Sequence, residues 1–253
     1  MGSIDLNADI GESFGGSASG SDEALLRWIS SANIACGFHA GDAKTMRRTV
    51  HACLQSGVRI GAHPGLPDLQ GFGRRAMALS AEEVYEITLY QIGALQAIAA
   101  AEGGSVAHVK PHGALYHMAE ADEGIASAIA RATEKASPGA ALVGISGGRL
   151  IAAGKEAGLR ILEEAFADRA YDRLGKLLPR TSPGAVLDIE ESARQAVRLA
   201  RDGMARTSDG ETIRVRADTI CLHGDEPLAA ERAEAVNRAL TQAGFRIAPK
   251  ETS

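Results

Sequence analysis

A short apolar run that stops in polar and glycine-rich residues, and is then followed by a helical stretch, recurs along this chain. The clearest copy is VRIGAHPGLPDLQGFGRR, Val58 to Arg75. Val58, Ile60 and Ala62 read as a buried strand. It ends at His63-Pro64, because proline has no N–H and holds the residue before it extended. Gly65, Pro67, Gly71 and Gly73 make a loop that finishes on Arg74 and Arg75. This unit constrains the fold strongly. Parallel strands need long crossover connections, and helices supply them.

Six further strands are expected at Ile4–Ala8, Ser31–Cys36, Val106–Lys110, Ala141–Ile145, Arg160–Ala165 and Asp218–Leu222. Helices are expected between them. One begins at Ser21-Asp22-Glu23, with Ala24, Leu25, Trp28 and Ile29 on its apolar side. The next runs from an Asp42 N-cap to Gln55 and stops at Gly57. Ser80-Ala-Glu-Glu83 is a capping box that opens a helix to about Ala101. Others span about Asp122–Lys135, Arg149–Ala157, Ile189–Gly203 and Leu228–Ala243. Gly15 to Ser21 reads as a flexible loop, and Asp172 to Leu187 lacks periodicity. Asp209-Gly210 signals a hairpin within Thr207–Val215, and Phe245–Ile247 a terminal strand.

Seven alternations of strand and helix describe a parallel sheet, either open and doubly wound or closed into a barrel. Polar clusters follow at least six of the seven strands. A barrel brings all those ends to one face, whereas an open sheet gathers fewer of them at its switch point. The barrel is therefore the expected fold. No linker or low-complexity tract divides residues 1–253, which read as a single domain.

The net charge of −5 argues against nucleic acid or anionic membranes as partners. There is no run of about 18 apolar residues to span a membrane. The start, MGSIDLNADIGE, lacks the cations and apolar run of a signal peptide. Three scattered cysteines do not make a disulfide framework. A reduced, cytoplasmic protein is expected.

The expected rim collects Asn7, Asp9, Glu12, His39, Asp42, His63, Arg74, Arg75, Lys110, His112, Asp168, Arg169, His223 and Asp225. Asp9, His39, His63 and His112 have donors that suit zinc or a similar ion, but no H-x-x-x-H or H-E-x-x-H spacing occurs, so the metal question stays open. Lys110 and His112 are two apart and share one side of an extended strand. Arg74, Arg75 and Arg169 suit carboxylate or phosphate, while Arg180 reads more readily as a surface residue. No P-loop is present, Gly144 to Gly148 is a weak phosphate turn, and Ser146 has no nucleophile-elbow context.

Six segments taken together are distinctive: DLNADIGESFG (5–15), SANIACGFHAGD (31–42), GAHPGLPDLQGFGRR (61–75), HVKPHGALY (108–116), EAFADRAY (164–171) and DTICLHGDEP (218–227). In that order they resemble the LamB/YcsF family over nearly the whole chain. The resemblance implies a distorted (β/α)7 TIM-like barrel of the glycoside hydrolase/deacetylase type. It also implies cleavage of the lactam of 5-oxo-L-proline to L-glutamate, coupled to ATP hydrolysis, with 5-oxoprolinase B and C subunits as partners and Mg²⁺ accompanying the ATP. His117 departs from the family, which usually has Asn there.

On that expectation, Lys110 with Arg74 or Arg75 holds substrate carboxylate and phosphate. His63 or His112 is the general acid–base, and Asp9 and Glu12 position that base, the water or Mg²⁺. Asn7, His39, Asp42, Asp168, Arg169, His223 and Asp225 contact lactam or ATP. Replacing Lys110 or His63 with Ala is expected to abolish turnover and leave the fold intact. A stand-alone metal-dependent deacetylase or amidohydrolase is the alternative. A non-catalytic binding partner fits poorly with so many titratable groups on one rim.

Overall fold

The structure is a computed structural model and is described for residues 2–13, 20–223 and 228–250. The strands are β1 (Ser3–Ile10), β2 (Ser31–Ala35), β3 (Arg59–His63), β4 (His108–Val109), β5 (Ala141–Ile145), β6 (Arg160–Phe166), β7 (Met204–Arg206), β8 (Thr212–Arg214), β9 (Thr219–Leu222) and β10 (Arg246–Ile247). The helices are α1 (Gly20–Leu26), α2 (Ala43–Ser56), α3 (Ala81–Ala101), α4 (Gly113–Ala121), α5 (Glu123–Ala136), α6 (Arg149–Glu156), α7 (Ile189–Asp202) and α8 (Ala229–Gln242). Most of the Gly15–Ser21 loop expected from sequence lies outside the described residues. Among the described residues, no helix is long and apolar enough to cross a membrane.

Seven parallel strands run in the order β1-β2-β3-β4-β5-β6-β9, and β9 pairs back onto β1 to close the barrel. The closing register sets Asp5 opposite Thr219 and Asn7 opposite Cys221. β10 adds in parallel beside the start of β1, with Ser3 opposite Arg246. β7 and β8 form a separate antiparallel hairpin around Asp209-Gly210. The start signals act as the sequence suggests. The Asp42 carboxylate accepts from Thr45 N, and Ser80 and Glu83 complete a reciprocal capping box.

Alternation along the strands separates two environments. Outward residues such as Leu6, Ala8, Ile34, Ile60, Val109, Leu142 and Ile220 pack under the helices in the main apolar core. Inward residues are largely polar: Asp5, Asn7 and Asp9 on β1, Ser31 and Asn33 on β2, His108 on β4, Glu164 on β6 and Thr219 on β9. A small separate apolar cluster of Ala141, Val143 and Leu162 fills the β5–β6 side. The hydrophobic effect thus holds the helices to the barrel, while hydrogen bonds fill most of its interior.

Two features differ from the sequence-based expectation. Helix α4 follows directly on Pro111-His112, where a loop is expected. Its N-cap, His112, makes no side-chain cap bond, so no start signal marks it in sequence. Its burial of Ala114, Leu115, Tyr116 and Ala119 is a tertiary effect. The aperiodic stretch after β6 is ordered by pairing of Arg169 with Val186 and Tyr171 with Leu177. The Gln195 side chain donates to Phe166 O and Arg169 O at 2.9 and 2.8 Å, tying the stretch to α7.

Gly61 shows how full the interior is. A Cβ there would lie 2.0 Å from His108 Nε2. Gly61→Ala is expected to destabilise the fold by about 1–3 kcal/mol through overpacking. Gly93, inside α3 with nothing within 4 Å of an added Cβ, is expected to behave oppositely. Gly93→Ala should stabilise by about 0.5–1 kcal/mol by restricting the unfolded chain. Thermal unfolding of the two variants checks both signs.

Candidate active site

The site is built upward from the polar barrel interior. At the base, Asp5 accepts from the hydroxyls of Ser30 and Ser31 at 2.7 Å each. Above it, Asn7 Nδ2 donates to Thr219 Oγ1 at 2.7 Å and to Glu164 Oε1 at 3.2 Å, while Asn7 Oδ1 accepts from Asn33 Nδ2 at 2.7 Å. Asn33 also donates to Asp9 Oδ1 at 2.8 Å and accepts from His108 Nε2 at 2.8 Å. His108 is therefore an interior packing residue. Burial, then the nearby Lys110, pushes its pKa down to about 3.

Lys110 crowns this network and is only 3% exposed. Its ammonium lies 2.9 Å from Glu164 Oε1, 3.2 Å from Asp9 Oδ1, 3.4 Å from Asn7 Oδ1 and 3.0 Å from Cys221 Sγ. Burial alone would lower its pKa, but Asp9, Cys221 and Glu164 hold it well above the usual lysine value. Asp9 mirrors this: burial would raise it, and the Lys110 ammonium 3.2 Å away holds it well below the carboxylate range. Lys110 also lines the cavity, where it is expected to meet substrate anions, but its ammonium has close partners in the protein. An ammonium has three N–H donors, and four neighbours already surround this one.

Three histidines stand beside Asp9 at the strand ends. His63 Nδ1 lies 2.7 Å from the Lys110 carbonyl, and His112 Nε2 lies 2.8 Å from the Phe72 carbonyl. A carbonyl only accepts, so each of those nitrogens carries the proton and donates. Phe72 reaches that position with φ 53, a left-handed conformation uncommon outside glycine. The His39 ring stacks on His112 at 3.8 Å between centroids, and His63 meets both edge-on. Glu12 Oε1 lies 3.5 Å from His112 Nδ1 and 3.6 Å from His39 Nε2. Donor atoms of Glu12, His39, His63 and His112 all fall within 4.8 Å of one another, as do those of Asp9, Cys221 and His223.

Across the barrel mouth, His223 Nδ1 lies 3.0 Å from Asp168 Oδ2, and His223 N also donates to that carboxylate at 3.0 Å. Asp168 is fully buried. Burial would raise its pKa, but His223 holds it below the carboxylate range. This pair leaves His223 Nε2 as the ring nitrogen not tied to Asp168. A cavity of about 440 Å³ opens over these groups. Asp9, Glu12, His63, Lys110, His112 and His223 line it together with Arg74, Arg169 and Arg180. The segment after β6 forms one wall through Leu177, Leu178 and Pro179.

Not every residue expected at the rim reaches this cavity. Arg75, expected to bind an anion beside Arg74, pairs with Asp68 and does not line this cavity, whereas Arg74 does. Asp42, expected to contact substrate or ATP, caps α2 and does not line the cavity. Asn7, His39 and Asp168 lie beneath the lining and support it. Asp225 lies outside the described residues. Arg180, read as a surface residue, is in the cavity wall. Glu164 and Tyr116 are absent from the residues expected at the rim. The Tyr116 hydroxyl donates to Glu164 Oε2 at 2.8 Å, and both are buried. The available signal is the doubled acid Glu163-Glu164 inside an otherwise apolar strand, since alternation must turn one of the two inward.

The family model of LamB/YcsF matches residues 4–253 of this chain. The chain belongs to the LamB/YcsF family. Among its relatives, the 5-oxoprolinase A subunit of Geobacillus kaustophilus is 52% identical, with 98% of this chain and 96% of the relative covered. That of Bacillus subtilis is 46% identical over 96% and 95%. The crystal structure of a lactam utilization protein from Thermus thermophilus superposes with a TM-score of 0.93 at 50% identity, covering 98% of this chain and 99% of that one. A deacetylase, T48, shares the barrel at a TM-score of 0.51 and 13% identity, a likeness of fold alone. The closed (β/α)7 barrel is thus the LamB/YcsF fold, and the cavity sits at the carboxyl ends of its strands.

Burial changes what is expected of Lys110 variants. Lys110→Met leaves Asp9 and Glu164 without their shared cation and should cost about 3–5 kcal/mol of stability, instead of leaving the fold intact. Adding Glu164→Gln should recover part of that loss in denaturant unfolding. Asp168 gives a pH dependence with a definite sign. Its folded pKa is depressed, so its contribution is full above the unfolded value of about 3.9 and is lost as pH falls through the folded value. The stability gap between the native chain and Asp168→Asn should therefore shrink as pH falls below about 4.

Proposed function

We propose that this chain is the A subunit of an ATP-dependent 5-oxoprolinase. In this reading it opens the lactam of 5-oxo-L-proline to L-glutamate, with B and C subunits as partners and ATP, accompanied by Mg²⁺, as co-substrate. The observation that carries the reading is one cavity that holds both acid–base groups and cations. Asp9, His63 and His223 share it with Arg74, Arg169 and Arg180. Its volume of about 440 Å³ falls within the range of small-molecule sites. Near-full-length identity of about half to relatives that carry the name of the 5-oxoprolinase A subunit supports it.

A lactam is a poor electrophile because amide resonance must be broken. Phosphorylation of its oxygen at the expense of ATP turns that oxygen into part of a leaving group. Ring opening then needs water activated at the former carbonyl carbon and a proton delivered to the departing ring nitrogen, which leaves an acyl phosphate that a second water cleaves to L-glutamate and phosphate. His223, oriented by Asp168, suits proton transfer because its Nδ1 is occupied and its other nitrogen is left for substrate. The arginines suit the substrate carboxylate and the phosphoryl group. Lys110 holds Asp9 in place and adds positive potential from below. A stand-alone metal-dependent amidohydrolase is a second reading, favoured by the cluster of Glu12 and three histidines.

Hydrolysis of 5-oxoproline by the chain alone and with B and C subunits, with and without ATP, separates the two. Turnover only with partners and ATP is expected. ATP-independent amidase activity of the chain alone would establish the second reading instead. In the reconstituted complex, His223→Ala should lower kcat by about 10²–10⁴-fold. Unchanged kcat would remove His223 from the mechanism.

A further inference from the structure

We propose that Glu12, His39, His63 and His112 form a binding site for one divalent transition-metal ion of the zinc class, open on one side to the cavity. The assignment rests on side-chain geometry and stands apart from the lactam reading.

The argument begins with protons. His63 Nδ1–H donates to the Lys110 carbonyl at 2.7 Å, so Nε2 of the neutral ring is a bare lone pair. His112 Nε2–H donates to the Phe72 carbonyl at 2.8 Å, so its Nδ1 is also a bare lone pair. Those two atoms face each other at 3.0 Å. Two lone pairs at that distance repel unless a positive charge lies between or beside them. The Glu12 carboxylate is 3.5 Å from His112 Nδ1, and it adds a third donor on the same side. Tetrahedral zinc with bonds of about 2.0–2.1 Å to nitrogen sets its donors about 3.3–3.4 Å apart, close to these spacings.

His39 is the independent second observation. It is 1% exposed, yet neither ring nitrogen has a hydrogen-bond partner, and its Nε2 is 3.6 Å from Glu12 Oε1. A buried imidazole left in this way calls for a ligand. Gly65 and Gly73 make room for it, since a Cβ at either would come within 2.4 and 2.7 Å of the His39 side chain. The backbone carbonyls behind His63 and His112 are the outer partners that orient metal-binding imidazoles and fix their tautomers. Asp9, a candidate ligand on sequence grounds, is drawn to Lys110 instead, and Glu12 takes its place in the cluster.

The full chain, stripped with a strong chelator and titrated with Co²⁺ and then Zn²⁺, provides the test. One equivalent of Co²⁺ should give the visible absorption of a low-symmetry nitrogen–oxygen site, and Zn²⁺ should bleach it. Glu12→Gln and His112→Ala should each weaken Zn²⁺ binding by at least about tenfold, with folding checked by circular dichroism. His51→Ala, an exposed ring on α2, should bind as the native chain does. Crystals of the unaltered chain soaked in Zn²⁺ should show one anomalous peak bonded to His63 Nε2 and His112 Nδ1. Absence of binding at micromolar Zn²⁺, or a peak only elsewhere, would overturn the assignment whether or not the chain proves to hydrolyse 5-oxoproline.

Discussion

The buried contact of Lys110 with Asp9 and Glu164 is the interaction on which the rest of this barrel depends. Three ionisable groups at 8% exposure or less sit inside a ring of strands. None would be tolerated there alone, because desolvation of an isolated charge far exceeds the marginal stability of a domain. Together they are mutually compensated. Asn7 and Tyr116 donate to Glu164, and Asn33 donates to Asp9, so the carboxylates have partners besides the ammonium. Such an arrangement contributes little net stability compared with an apolar filling, but losing one member is expensive. What it contributes here is placement. Asp9 and Lys110 are held on adjoining parts of the rim by a network that reaches down to β6 and β9.

The same logic orients the groups above it. His63 and His112 are each anchored through one nitrogen to a backbone carbonyl, and His223 is anchored to a buried carboxylate. Each ring thereby presents its other nitrogen in a fixed direction. The anchors lie in segments that follow three different strands, β3, β4 and β6, so the relative geometry of these nitrogens depends on the closed barrel. The Phe72 backbone adopts a left-handed conformation to supply one of them, a local strain that a surrounding packed structure must over-determine. Reactive groups of this kind, preorganised on strand ends and supported from beneath, are what proton-transfer chemistry on a resonance-stabilised amide requires.

Much of the architecture was legible in the chain. Strand-terminating His63-Pro64, the capping box at Ser80, the Asp42 cap and the Asp209-Gly210 turn are local signals, and local backbone geometry obeys them. Helix α4 carries no such signal and forms because its apolar face is buried. The site was legible in its residue types but not in its pairings. Arg74 and Arg75 are neighbours in sequence, yet one lines the cavity and the other pairs with Asp68. Glu164 is remote in sequence from Lys110, and only the closing of β6 against β9 makes it a partner.

The sequence by itself determined the repeated strand–helix unit, the family and the collection of polar residues at strand ends. The unit and the strand-end residues follow from periodicity and turn chemistry, which act over a few residues, and the family from the order of six motifs along the chain. Tertiary structure alone decided which carboxylates neutralise Lys110 and which nitrogen of each histidine is bare. It also decided that Asp42 and Arg75 stay outside the cavity. These are set by the registers across seven strands, and the energies of buried charges and hydrogen bonds depend on contacts that only the closed barrel creates.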